Sequence, residues 1–149
     1  MKLVIHTDGA ARGNPGPSAS GFSVDEKEKE GRMSVLETVY NGEQTNNYAE
    51  YNAVILALEW CSNNFDPKEV EADLYSDSEL IVNQLKGNYK VKAKGLLHLN
   101  EKARQLMARF KSVALHNLPR EAAGISRVDR ALNHLLDRLE GEGKTARGK

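Results

Sequence analysis

The chain has 149 residues, 40% of them hydrophobic, with 21 basic and 21 acidic side chains and a single cysteine, Cys61. That length suits one domain around one core, the balanced charge removes any global pull toward nucleic acid, and a lone thiol excludes both an intramolecular disulfide and a zinc ribbon. There is no charged-then-apolar leader and no membrane-length apolar run, so the expectation is a soluble, cytoplasmic protein with no membrane partner, and separately a monomer.

Residues 2–7 read as a short apolar strand through Leu3, Val4 and Ile5, followed by a turn at Gly13-Asn14-Pro15-Gly16-Pro17. Residues 20–27 and 32–40 read as two more strands about a charged turn at Lys29-Glu30-Gly31, which predicts an antiparallel meander. From Asn46 the period changes. Ala49, Ala53, Ala57, Trp60 and Cys61 recur at helical spacing, with Asn or Thr available as the cap and Asn63-Asn64 before Asp66-Pro67 as the stop.

Residues 70–76 give another strand, and 78–85 a helix with Leu80, Ile81 and Leu85 as its apolar face, stopped by Gly87-Asn88. An exposed basic connection spans 89–95. Leu96, Leu99, Ala103, Leu106, Met107 and Phe110 then trace a long amphipathic helix, followed by a strand over 112–118 and a last helix over 126–139. This order predicts one α/β domain over residues 1–140, a mixed sheet of five strands flanked by helices, and a polar, disordered tail over 141–149.

Two acids stand where strands end. Asp8 closes the first strand in Thr7-Asp8-Gly9-Ala10, and Asp77 closes the fourth in Tyr75-Ser76-Asp77-Ser78. Ligands of open α/β sheets gather outside such ends, so neighbouring first and fourth strands would bring the two carboxylates together. Asp73 shares a strand face with Asp77 but lies four residues away at about 3.3 Å each, roughly 13 Å in all, too far to share an ion. Glu50 and Asp129 sit on helical patterns that could cover the same site. Each also has a local reading: Glu50 as a helix-start acid closing a capping box with Asn47, and Asp129 as a first-turn acid of the last helix. Four carboxylates converging on hard divalent cations point to phosphodiester chemistry, and their crowding predicts raised, coupled carboxyl pKa values in the metal-free protein.

Thr7-Asp8-Gly9-Ala10 with Gly13-Asn14-Pro15-Gly16, Thr45-Asn46-Asn47-Tyr48-Ala49-Glu50, Ser76-Asp77-Ser78 and Val128-Asp129-Arg130-Ala131-Leu132-Asn133 resemble, in order, the motifs of type 1 ribonuclease H. The resemblance spans residue 2 to about 139, and the short Gly87-Asn88-Tyr89-Lys90-Val91-Lys92-Ala93-Lys94 connection is similar to that of an archaeal-like branch without the family's basic protrusion. It implies a ribonuclease H-like fold in which Asp8, Glu50, Asp77 and Asp129 hold two Mg²⁺ ions, with Mn²⁺ as a substitute. The implied reaction is hydrolysis of the RNA strand of an RNA/DNA hybrid to 5′-phosphate and 3′-hydroxyl ends.

Such an enzyme must read the 2′-hydroxyl, both donor and acceptor, and amides can do so. Asn14, Gln44 and Asn46 are candidates for ribose contacts, with turn and cap chemistry as the alternative for Asn14 and Asn46. By resemblance, Thr45 and Asn47 would help to hold the DNA strand. From Lys86 to Lys111 the chain is basic but for Glu101, and within that stretch Tyr89, Lys90, Lys92 and Lys94 form a small patch suited to backbone phosphates. The alternative is a solvated helix face plus a loop. Trp60 reads as core. Many relatives carry a glycine-flanked histidine before the last acid; this chain has Leu118-Pro119-Arg120-Glu121, and Arg120 would take that place. His6, in line with Asp8, reads as packing. Two rivals remain: an ATP hydrolase using the Asp8-Gly9 turn, for which a second domain copy is missing, and a hybrid reader that binds without metal.

Overall fold

In the computed structural model, which describes residues 1–28 and 33–147, strands β1 (Lys2–Ala11), β2 (Gly16–Glu26) and β3 (Met33–Gln44) form the expected antiparallel meander. Helix α1 (Asn46–Asn64) and a single 3₁₀ turn (Pro67–Glu69) lead to β4 (Glu71–Ser76), then α2 (Glu79–Lys86), α3 (Lys94–Met107), β5 (Ser112–Asn117) and α4 (Ala123–Arg147). The sheet order is β3-β2-β1-β4-β5, with β4 parallel to both β1 and β5. The mixed five-stranded sheet is therefore as the sequence predicts. The charged turn at Lys29-Glu30-Gly31 lies outside the described residues.

The three meander strands are longer than expected, whereas β4 and β5 are each a residue shorter. β1 runs on to Ala11 and β2 starts at Gly16 because the Gly/Pro turn is tight: Arg12 N–H donates to Pro17 O at 2.8 Å, and pairing persists to Ala11 and Ser18. β3 extends to Gln44 through an irregularity where Ser18 pairs with Gly42 but Ala19 with Tyr40. Asn41 is the extra residue, and a bulge of this kind re-aims side chains. The Asn41 amide donates to Ser20 Oγ at 2.8 Å and accepts from Asn52 at 2.9 Å, while Ser20 Oγ–H donates to Ala49 O at 2.6 Å. The bulge thus ties β2 and β3 to the turn of α1 that carries Glu50.

Two apolar layers sandwich the sheet. On one face Leu3, Ile5 and Leu74 pack under α1, α2 and α3, with Leu58, Ile81, Leu99 and Phe110 buried. Trp60 joins this layer edge-on to Phe65, as core rather than as a stacking platform for substrate. On the other, Ala19 meets Val128, Leu132 and Leu136 of α4. Within the first layer lies a polar triad: Tyr51 O–H donates to Gln84 Oε1 at 2.6 Å and accepts from Asn100 Nδ2 at 3.1 Å, so α1, α2 and α3 share one buried network.

Helix α4 corrects the expected tail. The reading that ended this helix at 139 and left 141–149 disordered fails for 141–147, whose backbone is helical. Gly141 and Gly143 each cost a helix only about 1 kcal/mol relative to alanine, and no proline follows to stop it. Anchoring supplies the rest: Arg12, just past β1, makes ion pairs with Asp137 at 2.7 Å and Glu140 at 3.1 Å.

Tyr51→Phe should leave the buried Gln84 and Asn100 groups short of a partner and cost roughly 1–3 kcal/mol. In a domain of this size that is a fall of about 2–4 °C in Tm per kcal/mol, measurable by thermal denaturation.

Candidate active site at the strand ends

Parallel pairing of β1 with β4 ends at Thr7 opposite Ser76, so Asp8 and Asp77 are the next residues along adjacent strands. Helix α1 crosses directly over β1. A Cβ on Gly9 would lie 2.3 Å from Ala49 C and 2.5 Å from Glu50 N, so glycine alone allows the approach. Thr45 Oγ1 caps α1 by accepting from Tyr48 N–H at 3.1 Å, which leaves Asn47 out of the capping role considered for it. Gly9 N–H donates to Glu50 Oε1 at 3.2 Å. The result is one cluster, with carboxylate oxygens of Asp8, Glu50 and Asp77 within 4.8 Å of one another.

Asp129 enters from the opposite face, on α4. Gly21, the cross-strand partner of Asp8, lies beneath Val128, where an added Cβ would come within 2.9 Å of Val128 Cγ1. That clearance lets α4 settle low enough for Asp129 to reach Asp8. Glycine inside a strand signals a close approach, and Gly21 is the site residue that the sequence reading missed.

Burial and repulsion act together here. Asp8 is 1% exposed and Glu50 7%. The Asp8 carboxyl is pushed far above the usual range, first by burial, then by the charges of Glu50 and Asp77 and by the nearby Asp129 carboxylate. Glu50 is also raised, by burial first and then by Asp77, against the opposing Gly9 N–H, Asp8 and Arg120. Both Asp8 oxygens and Glu50 Oε2 are buried with no hydrogen-bond donor. Buried oxygen ligands without donors fit a hard divalent cation. Arg120, 67% exposed on its side chain, donates Nε–H to Asp77 Oδ2 at 3.3 Å. Its guanidinium pKa is raised, chiefly by that bond.

The residues expected on the substrate side divide in two. Asn14, Gln44, Thr45 and Asn47 converge, with Tyr48 and with Ala93, Gly95 and Leu96 at the start of α3, around a cavity of about 410 Å³. Asn14 and Asn46 are partly spent on structure: Asn14 Oδ1 accepts from Asn46 N–H at 3.1 Å, and Asn46 Oδ1 from Ala11 N–H at 2.8 Å. Tyr89 is turned onto α2, its hydroxyl 3.3 Å from Glu79 Oε1. Lys90 and Lys92 are exposed on the connection, and Lys94, also exposed, opens α3. Asp73 pairs with His116 at 2.9 Å, away from the cluster. His6 stacks on Tyr75, which stacks on His116 across β1, β4 and β5, so the packing role expected of it holds.

A family model described as RNase H matches residues 1–121, a span that ends before Asp129. The chain is 34% identical over 137 residues to "Bifunctional protein Rv2228c" of Mycobacterium tuberculosis, covering 92% of this chain and 36% of that protein. It therefore spans about a third of the length of that mycobacterial relative. The crystal structure of RNase H1 from Halobacterium salinarum NRC-1 matches with a TM-score of 0.82 and 32% identity over 93% of this chain and 99% of that one. LC11-RNase H1 in complex with RNA/DNA hybrid matches with a TM-score of 0.78 and 37% identity over 90% and 99% of the two chains.

A carboxyl whose pKa is higher folded than unfolded holds its proton more tightly in the folded state, so stability is greatest below about pH 4 and declines as pH rises toward the folded value. Asp8→Asn should therefore raise the Tm of the metal-free protein at pH 7–8, by about 2–4 °C for each kcal/mol of repulsion relieved. The gain should shrink toward pH 4, as thermal scans in chelator across that range would show. Gly9→Ala should act oppositely, costing roughly 1–3 kcal/mol as α1 is forced off β1.

Proposed function

The chain belongs to the ribonuclease H family, and from that premise we propose that it hydrolyses the RNA strand of RNA/DNA hybrids, leaving 5′-phosphate and 3′-hydroxyl ends. The observation that carries this reading is the cluster of three carboxylates within 4.8 Å, with buried oxygens that lack donors. Asp8 and Asp77 would be the central metal ligands. Glu50, its Oε1 held by Gly9 N–H, would present its other oxygen to a metal and help to orient the attacking water. Asp129, half-buried on α4, would hold the more labile ion. Two Mg²⁺ ions, or Mn²⁺ in their place, would supply activation of the water and neutralisation of charge on the leaving oxygen.

Arg120 is assigned an electrostatic role. A guanidinium stays charged throughout the working pH range, so it cannot relay a proton as a histidine would. It can exchange its exposed contact with Asp77 for a phosphate. On the substrate side, the cavity shared by Asn14, Gln44, Thr45 and Asn47 lies against the start of the helix that carries Glu50, which supports ribose and DNA-strand contacts there, with Asn46 beside them. Tyr89, Lys90, Lys92 and Lys94 would follow backbone phosphates, giving affinity that weakens with salt. All four acids come from one chain, which supports a monomeric working unit. Among the described residues no helix is long and apolar enough to cross a membrane, and a cytoplasmic location is part of the same proposal.

Asp8→Asn and Asp77→Asn should each lower hybrid cleavage by roughly a thousandfold or more while preserving the fold. The check is a labelled-hybrid assay with Mg²⁺, Mn²⁺ or EDTA, with circular dichroism of each variant. Near-wild-type cleavage by either variant, with contaminating nuclease excluded, would overturn the assignment. Hybrid binding in EDTA without cleavage in any metal would favour a reader over a nuclease.

A further inference from the structure

We propose that Arg12 and Asn133 form a relay that sets the position of the Asp129 carboxylate, making both of them positioning residues for the metal-holding cluster. The inference rests on the reading of Asp129 as a metal ligand. Asn133 lies one helical turn beyond Asp129 on α4, and its Nδ2 donates to Asp129 Oδ1 at 3.1 Å and to Asp129 O at 2.9 Å. On its other side Asn133 accepts from Arg12, whose terminal nitrogen lies 3.2 Å from both Asn133 Oδ1 and Asn133 O. The amide is thus held between a cation and an anion. Only one orientation suits both neighbours, oxygen toward Arg12 and NH₂ toward Asp129; turned over, it would set NH₂ against the guanidinium and oxygen against the carboxylate.

Arg12 is itself fixed. It pairs with Asp137 at 2.7 Å and Glu140 at 3.1 Å. Burial works against its charge, but hydrogen bonds to Glu140 and Asp137 more than offset this and raise its pKa. Asp129, Asn133, Asp137 and Glu140 make one stripe of α4, which at about 1.5 Å per residue is roughly 16 Å long. Arg12 grips that stripe from the turn just past the strand that carries Asp8, four residues earlier. The helix bearing the fourth acid is therefore tied to the strand bearing the first, and the amide passes that tie to the carboxylate. Groups that orient metal ligands in this way commonly change metal affinity 10- to 100-fold, roughly, when removed.

The test uses the full chain, metal-free, titrated with Mn²⁺ alone and followed by the electron paramagnetic resonance signal of free Mn²⁺, with hybrid cleavage measured in parallel. Asn133→Leu and Arg12→Met should each weaken the weaker Mn²⁺ site about tenfold or more. Cleavage should show a lower kcat at limiting metal that recovers in excess metal, with KM for hybrid unchanged. Because the two act in series, the double variant should be no worse than the more affected single one. Asn133→Ala removes the same hydrogen bonds with no loss of helix propensity and keeps the test decisive if the leucine variant fails to fold. Unchanged Mn²⁺ affinity in the single variants, additive losses in the double, or a rise in KM alone would overturn the relay. Asp129→Asn separates the two readings: if it binds Mn²⁺ like the wild type, the metal role of Asp129 falls and the relay with it. If it loses the weaker ion while Asn133→Leu and Arg12→Met keep it, only the relay is overturned.

Discussion

Three carboxylates occupy a space that their own charge opposes, and the backbone holds them there. On one side the parallel ladder of β1 and β4 places Asp8 and Asp77 next to each other. On the other, α1 rests on β1 at Gly9, and a backbone N–H of that strand binds Glu50. Only the bond to Glu50 involves an acid; the strand ladder and the seating of α1 on Gly9 do not, so the cluster is built mainly by backbone pairing and close packing and stands preformed. Preorganised oxygens need little rearrangement when a cation arrives, which favours tight geometry at the expense of stability in its absence.

Most of this was legible in the sequence where local chemistry and global fold agree. Asp8 and Asp77 could be placed because a β-biased run followed by a turn or a helix start fixes where a strand ends. Glu50 is open to a plain helix-start reading, and only its placement together with the other acids and the family resemblance points to the site. The sequence says less where the deciding partner is far along the chain. Gly21 looks like an ordinary strand residue until Val128, more than a hundred positions later, lies over it. The length of α4 is hidden for the same reason: two glycines argue for an end, and the ion pairs to Arg12 that favour continuation come from the turn just past β1. The hairpin strands outrun their sequence pattern because pairing continues up to a tight turn whatever the local propensity.

The two halves of the proposed substrate surface are built differently. The amide and hydroxyl groups near the start of α1 are braced, Asn14 to Asn46 and Asn46 to Ala11, so the groups that would read a ribose are fixed to the hairpin that ends beside Asp8. The lysines of the connection into α3 are long, exposed side chains, suited to charge rather than shape. Specific recognition would then come from the rigid side and sequence-independent attraction from the adaptable one.

The triad of Tyr51, Gln84 and Asn100 has a consequence for how the helical layer can vary. Sliding any one helix by a turn would strand three polar groups in an apolar interior, so the layer has a single docking arrangement. A lone replacement at any corner leaves its neighbours wanting a partner, whereas exchanging all three for apolar groups would restore compatibility. Change at these positions is therefore expected to be concerted: a replacement at one corner calls for matching replacements at the other two, and the spacing of α1, α2 and α3 rests on all three together.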